Sequence, residues 1–235
     1  MAETETEENL EMTLVEHLTE LRSRLIRALL SVLIFSVFSY IFSEELIDYL
    51  SEPVGNLVFL SPAEAFITHI KVSILVGIII SLPVIIYQFW KFVLPALKKN
   101  EKKFFYIIMP TSLILFYAGI IFGFFIVLPL GMNFLLNFGG PELEAMISLD
   151  FYISFLITLL IPFGLIFQMP LVLNLMIKMG LVTVENLSAF RKYVIVLIFV
   201  VGAILTPPDI VTQALLAFPL ILLFEGSLLI GKLIN

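Results

Sequence analysis

The sequence TLVEHLTELRSRLIRALL, residues 13–30, decides how this chain is built, because it joins a charged helix to a membrane-length apolar segment. Thr13 followed by Glu16 has the form of a capping box, so we predict that a helix begins there. One helical face is apolar, with Leu14, Leu18, Leu21 and Leu25. Glu16, Glu20 and Arg24 lie on another face. The helix is therefore amphipathic before it enters the apolar run that follows.

The composition of the 235 residues is that of a polytopic membrane protein. Hydrophobic residues make up 60% and charged residues 14%, and the mean hydropathy is +1.11, which excludes an ordinary soluble globule. A bilayer core of about 30 Å needs roughly 20 helical residues. On that rule we place six spans, near residues 24–43, 68–90, 104–130, 151–178, 192–206 and 210–231. These runs lack the alternating pattern of barrel strands, so we predict an all-α fold.

Two of the six predicted spans are short. The stretch from Tyr193 to Thr206 covers 14 residues, or roughly 21 Å, before TPPD stops it. In the last span, an acidic residue at 225 interrupts the apolar run that begins at Ile210. Prolines such as Pro83 recur inside the spans and tend to kink them. They indicate either a bent, concave bundle or the ordinary tolerance of membrane helices for proline.

Charge divides the connections between the spans into two sets. Lysine and arginine cluster before the first span, between the second and third, between the fourth and fifth, and after the sixth, whereas the other connections carry only acidic residues. By the positive-inside rule both termini are cytoplasmic. Residues 1–12 form an acidic tail that we expect to be disordered, followed by a single transmembrane domain over residues 13–235. Lys71, toward the outer side, either snorkels outward or pairs with an acidic loop residue.

Polar side chains in and beside the spans are the candidate sites. Glu20 and Arg24 are spaced as a helical surface pair worth about 0.3–0.5 kcal/mol, which is the ordinary explanation of both. In the basic connection at residues 88–104, the lysines around Glu101 fix topology and attract anionic lipid, and Trp90 suits an interfacial belt. Gln168, near the middle of the fourth span, needs a partner on an internal helix or on another protein.

No catalytic arrangement is present in the sequence, so we expect a protein that is not an enzyme. The chain has no cysteine, His17 and His69 fall on opposite sides of the membrane, and no phosphate-binding loop or nucleophile motif occurs. We expect no metal, no cofactor and no nucleic-acid partner. A secondary ion or solute transporter is the alternative function, but it would require ionisable groups at the midplane and related halves. A purely structural scaffold is a further rival, and it would not depend on Glu20 or Glu101.

Four separated motifs carry a family resemblance. These are HLTELRSRL at 17–25, SEP at 51–53, PVIIYQFWKFVLPAL at 83–97 with the following KKNEKK, and LTPPDIVTQALLAFP at 205–219. Over residues 14–232 the chain resembles the TatC family, the core membrane subunit of the twin-arginine protein translocase. The resemblance implies a concave, glove-like bundle in the cytoplasmic membrane that works in an oligomeric complex with single-span TatA-like and TatB-like subunits. It also implies a receptor for folded proteins with paired-arginine signal peptides, driven by the proton-motive force without nucleotide.

The resemblance assigns roles to particular residues. Two glutamates that match Glu20 and Glu101 receive the arginines, and we predict that they share one acidic notch inside a basic rim. Other positions match the family's signal-peptide surface, namely Arg22, Leu25, Phe92 and Lys99. Structural matches are Pro53 and Pro83, and the partner-contact region includes Gln168, Thr206, Asp209 and Gln213. The ordinary explanation of Asp209 is that it caps the last helix. Several family members have glutamate where this chain has Gln168, and an amide cannot titrate.

Overall fold

The computed structural model describes residues 14–55, 57–93, 105–137, 146–205 and 210–234, and in these ranges the regular secondary structure is helical apart from one isolated β-bridge. The helices are α1 Leu14–Ile41, α2 Ser43–Ser51, α3 Pro62–Val93, α4 Phe105–Phe122, α5 Leu128–Asn137, α6 Leu149–Ile166, α7 Met169–Lys178, α8 Val184–Ala189, α9 Arg191–Leu205 and α10 Ile210–Ile234. A π-helical turn, Gly123–Val127, joins α4 to α5. The prediction of an all-α membrane fold is therefore confirmed, whereas the acidic tail at 1–12 lies outside the described residues.

Five stretches of the described chain are long and apolar enough to cross a membrane. They are Val15–Ile41, Pro62–Val93, Tyr106–Asn137, Leu149–Lys178 and Leu216–Leu233. They coincide with the first four predicted spans and the sixth. The fifth predicted span is α9, whose 15 residues cover about 22 Å, less than the hydrocarbon thickness. The sixth was predicted to be short, but α10 has 25 residues, so only one of the two short spans is short as a helix.

The packing of α1 against α3 sets the position of the amino-terminal charges. At one end the His17 ring stacks on the Phe92 ring with centroids 4.3 Å apart, and at the other Ser43 Oγ lies 2.8 Å from His69 Nδ1. The two helices are therefore antiparallel. We call the end with His17 and Phe92 the basic end, because it also carries the arginines of α1, and the opposite end the acidic end.

A polar network joins the connections at the acidic end. Val58 and Ser148 form a parallel β-bridge, and the Glu64 carboxylate accepts hydrogen bonds from Ser148 Oγ at 2.5 Å and the Asp150 amide at 3.1 Å. Lys71 Nζ lies 2.5 Å from Asp150 Oδ1. Of the two alternatives for Lys71, the structure shows the pairing with an acidic residue. The network ties the start of α3 to the start of α6.

Proline affects the spans unequally. The predicted fourth span is broken between Ile166 and Met169, where Pro170 lies in the first turn of α7 and cannot donate a backbone hydrogen bond to the preceding turn. Pro83 lies inside α3 without ending it. Pro53 lies exposed in the turn after α2. In the fourth predicted span the break therefore lies at Gln168.

The bundle core is formed where α3, α4 and α6 meet. Tyr152 and Phe163 of α6 are fully buried there, and the Tyr152 hydroxyl donates to the Leu50 carbonyl oxygen at 2.5 Å. A smaller cluster of Ile177, Val184, Phe224 and Leu228 packs α7 and α8 against α10. Most of α1 beyond its contact with α3 exposes large apolar side chains, as a lipid-facing helix should.

Candidate functional site

The basic end of the α1 and α3 pair holds the main candidate site. On the first turns of α1, Leu21 and Leu25 line a groove together with residues of α3, whereas Arg24 is buried. The stacking of His17 on Phe92 places the last turn of α3 next to the first turns of α1. Along α1, Glu20 lies about one helical turn and Arg24 about two turns beyond His17.

Glu20 and Arg24 form an ion pair that is not the predicted surface pair. Arg24 Nε donates to Glu20 Oε1 at 3.0 Å, and Arg24 Nη2 donates to the same oxygen. The side chains are only 19% and 11% exposed, so solvent screens the pair much less than at an open surface. Glu20 Oε2 and Arg24 Nη1 are buried and have no hydrogen-bond partner among the described residues.

Two grooves meet at Arg24. The first, which we call the carboxylate groove, has a volume of 390 Å³ and is lined by Val15, Glu16, Thr19, Glu20, Ser23, Arg24 and Arg27. The second, the apolar groove, has a volume of 170 Å³ and is lined by Leu21, Arg24, Leu25, Ala28, Ile85, Gln88, Phe89 and Phe92. A polar cleft beside an apolar one suits an extended peptide that carries charged and apolar residues in succession.

The structure brings together some of the residues predicted to bind a signal peptide. Leu25 and Phe92 line the apolar groove beside the Glu20–Arg24 pair. Arg22 is exposed on α1 and is not among the described residues that line either groove. The remaining two members of the predicted set, Glu101 and Lys99, lie outside the described residues.

Trp90, for which the sequence predicts a place in an interfacial belt, is buried in the bundle. It is only 5% exposed, and its indole nitrogen is buried without a hydrogen-bond partner among the described residues. Its neighbour Phe89 is instead the exposed aromatic residue and packs against it edge to face. The last turn of α3 turns Trp90 into the bundle because the residue four positions earlier, Ile86, is also buried on that face.

Gln168 finds its partner inside the chain. Its Nε2 donates to the Ser112 carbonyl oxygen at 2.9 Å, and its Oε1 accepts from Ser112 Oγ at 2.6 Å. The amide therefore fastens the break between α6 and α7 to α4. Of the two alternatives for this residue, an internal helix supplies the partner, and one amide N–H is left for any further contact.

Replacing Gln168 with leucine should lower the free energy of unfolding by about 1 kcal/mol, because membrane hydrogen bonds are individually modest. Ser112→Ala should cost less, because it removes the hydroxyl bond but keeps the bond from the amide to the Ser112 carbonyl. Unfolding of the detergent-solubilised chain measures both. A Ser112→Ala loss equal to or greater than that of Gln168→Leu would contradict the assignment of the second bond.

The region predicted to contact partner subunits is described in part. Gln213 donates from Nε2 to the Phe199 carbonyl oxygen at 2.8 Å, which links α10 to α9. Thr206 and Asp209 lie outside the described residues. The sequence did not predict the ion pair between Arg191 Nε and Glu225 Oε1, 2.8 Å apart. The sequence feature that could have predicted this pair is Glu225, a carboxylate inside the last apolar run, at the same end of the bundle as Arg191, the first residue of α9.

The family model described as "Sec-independent protein translocase protein (TatC)" matches residues 16–219. The chain belongs to the TatC family. The matched region includes the Glu20–Arg24 pair, both grooves except Val15, and the hydrogen bonds of Gln168, so the family match and the candidate site concern the same part of the molecule.

Relatives agree over nearly the full length of the chain. The TatC protein of Aquifex aeolicus is 46% identical over 230 residues, which are 94% of this chain and 95% of the relative. The TatC protein of Carboxydothermus hydrogenoformans is 42% identical over 229 residues, covering 95% and 94% of the two chains. A crystal structure described as "Twin Arginine Translocase Receptor- TatC" superposes with a TM-score of 0.83 at 46% identity and covers 93% of this chain and 99% of its own. These relatives are protein translocase subunits rather than enzymes, and this chain is likewise a multi-pass TatC membrane protein.

Proposed function

We propose that this chain is the receptor subunit of a twin-arginine translocase and that it binds signal peptides with paired arginines at its basic end. The observation that carries the proposal is the Glu20 carboxylate, which is only 19% exposed and keeps one oxygen without a partner beside a groove. A carboxylate in this state attracts a guanidinium more strongly than one in open water. The name of the related crystal structure, a twin-arginine translocase receptor, supports the same function.

Two arginines require two carboxylates, and we assign the second role to Glu101. The His17–Phe92 stack holds the carboxyl end of α3 beside the amino end of α1. Glu101 follows Val93, the last residue of α3, by about eight residues, a length that can span at most roughly 28 Å. Glu101 can therefore reach Glu20 without crossing the bundle. The surrounding lysines, Lys99 among them, and exposed Arg22 would form the rim around this acidic notch.

The topology that fits this function has six spans in the cytoplasmic membrane, with both termini in the cytoplasm. The support is that the basic end carries the positive charges of α1 and α3, as the positive-inside rule requires. In this arrangement α9 is the fifth span despite its 15 residues, and it relies on α10 and local bilayer thinning. The proline break near Gln168 favours a concave, glove-like bundle.

Single-span TatA-like and TatB-like subunits are the proposed partners, docking around α9 and α10 in an oligomeric complex. The exposed faces of α9 carry large apolar side chains, including Val196, Leu197 and Val200, which suit another transmembrane helix. Thr206, Asp209 and Gln213 belong to the same region. The free N–H of Gln168 could add one hydrogen bond to a partner, and normal assembly of a Gln168→Leu variant would remove that role.

Photo-crosslinking to a signal peptide tests the receptor function directly. The purified chain in lipid nanodiscs should crosslink to a peptide with two consecutive arginines and an apolar run, and at least about tenfold less to the peptide with two lysines, because lysine lacks the planar fork of arginine. The lysine peptide keeps the charge and so controls for attraction to the membrane surface. Equal crosslinking of the two peptides would contradict a receptor that reads arginine.

The alternative function, a secondary ion or solute transporter, has no observation in its favour. Such a protein would place an ionisable group near the midplane, whereas the polar residue there is Gln168, an amide that is already bonded to Ser112. Lys71 is paired with Asp150 at the acidic end rather than at the midplane. The geometry therefore favours peptide recognition at one end of the bundle.

A further inference from the structure

Arg24 is buried to a degree that its role in topology does not require. It is 9% exposed, whereas Arg22 and Arg27 on the same helix are exposed. Any of the three arginines can orient the first span by its charge, and an exposed one does so without losing hydration. Burying a guanidinium costs free energy unless its donors are bonded. The burial of Arg24 therefore serves something other than orientation.

In the Glu20–Arg24 pair, only part of the available donors and acceptors form hydrogen bonds. Both contacts from Arg24, through Nε and Nη2, converge on Glu20 Oε1. In the part of the chain that the structure describes, the other carboxylate oxygen, Oε2, and the other terminal nitrogen, Nη1, are buried without hydrogen-bond partners. Buried polar atoms in native proteins nearly always have partners, so the two unpaired atoms of this ion pair are places where a ligand can bind. One of the two atoms accepts and the other donates, so the ligand must offer both a donor and an acceptor.

We propose that Arg24 is a specificity-determining residue of the receptor, which fixes the rotation of the Glu20 carboxylate so that Oε2 receives a peptide guanidinium. In the same complex Arg24 Nη1 donates to a main-chain carbonyl oxygen of the bound peptide. An arginine residue in an extended peptide supplies both groups, a side-chain donor and a nearby backbone acceptor. This inference rests on the proposed function, because it takes Glu20 as the carboxylate that binds the signal peptide.

A fixed carboxylate explains how arginine can be told from lysine. A guanidinium donates in a rigid, planar fork, so it gains most from an acceptor that is held in one orientation. An ammonium is a compact charge that can donate to a carboxylate in any orientation, so it gains little from a carboxylate held in one orientation. Arg24 also adds a positive charge that any cationic peptide must approach. The pair therefore favours arginine, because its well-directed hydrogen bonds offset this repulsion.

The test compares the affinities of two peptides for variants of the full chain in lipid nanodiscs. The probes are a fluorescent signal peptide with paired arginines and its lysine counterpart, read by anisotropy. Arg24→Lys keeps the charge but loses the fork, so it should weaken binding of the arginine peptide about tenfold and of the lysine peptide little, and the preference between them should fall about tenfold. Arg27→Gln is the control: this exposed residue lines the same groove, so its loss should change both affinities by the same factor.

The outcomes separate this inference from the proposed function. If Glu20→Gln abolishes binding but Arg24→Lys and Arg24→Gln leave the peptide preference unchanged, Glu20 is the receptor carboxylate and the role of Arg24 is refuted. Tighter binding of the arginine peptide to the Arg24→Gln variant would show that Arg24 competes with the ligand, which also refutes the proposed role of Arg24. An equal loss for both peptides with a lowered melting temperature would show a merely structural role. If Glu20→Gln binds normally, the proposed function itself fails.

Discussion

Replacing Glu20 with glutamine is expected to weaken binding of a paired-arginine signal peptide about 100-fold, or about 2.7 kcal/mol. Glutamine keeps the size and one acceptor oxygen but removes the charge that the guanidinium needs. The substitution also leaves Arg24, which is 9% exposed, without its counter-charge, and a buried unpaired charge adds to the loss. Anisotropy with the arginine peptide, on the chain in nanodiscs, measures the effect.

Glu16→Gln is the matched control for this experiment. Glu16 is exposed, one turn earlier on α1, and lines the same carboxylate groove, so its loss removes the same charge from the same helix. We expect it to weaken binding less than about threefold, because exposed charges interact weakly through water. Equal losses in the two variants would mean that the groove attracts peptides by its general charge and that Glu20 has no special role.

Glu101→Gln decides whether the two carboxylates share one notch. If both bind the arginines of one peptide, each single variant should lose most of the affinity, and the double variant should lose less than the sum of the two free energies. Strictly additive losses would place the two glutamates at independent sites. A Glu101→Gln variant with unchanged affinity would restrict the site to Glu20 and the two described grooves.

The sequence predicted the helices well where apolar length decides the structure. Runs of about 20 apolar residues must be helical in a bilayer because all backbone groups need partners, and the described spans lie where such runs occur. The same argument could not find the break at Gln168, because a proline can either kink a helix or be tolerated within it, as Pro83 is in α3. The short helices α2 and α8 lie in connections and carry no comparable length signal.

The site was predictable in position but not in state. Helical spacing predicts the Glu20–Arg24 pair, yet it cannot tell an exposed pair from a buried one, because that depends on what packs around α1. The partner of Gln168 was equally hidden, since Ser112 lies 56 residues earlier and is one serine among many. The motifs located the recognition surface through the family, whereas the orphaned atoms of the pair are visible only in three dimensions.

Replacing Gly77 with alanine is expected to lower the stability markedly, because the backbones of α1 and α3 are in close contact there. A Cβ at Gly77 would lie 2.7 Å from the main-chain N and Cα of Ser36, and a backbone cannot turn aside as a flexible side chain can. Overpacking of this kind costs about 2 kcal/mol, which corresponds to a fall in melting temperature of about 4–8 °C for a chain of this size. Thermal unfolding of the detergent-solubilised protein measures it.

Gly226→Ala provides the control, since Gly226 also lies inside a long helix but a Cβ there would meet nothing within 4 Å. Alanine is the better helix former by up to about 1 kcal/mol, so this variant should be as stable as the parent chain or slightly more stable. Equal melting temperatures in the two glycine variants would contradict the close contact of α1 with α3. The same helix pair carries the stack of Phe92 on His17, so we expect Gly77→Ala also to weaken binding of the arginine peptide, whereas Gly226→Ala should leave that affinity unchanged. A loss of stability without any loss of affinity would show that local contacts at the basic end are enough to hold the recognition surface. The packing of α1 on α3 at Gly77 would then play no part in it.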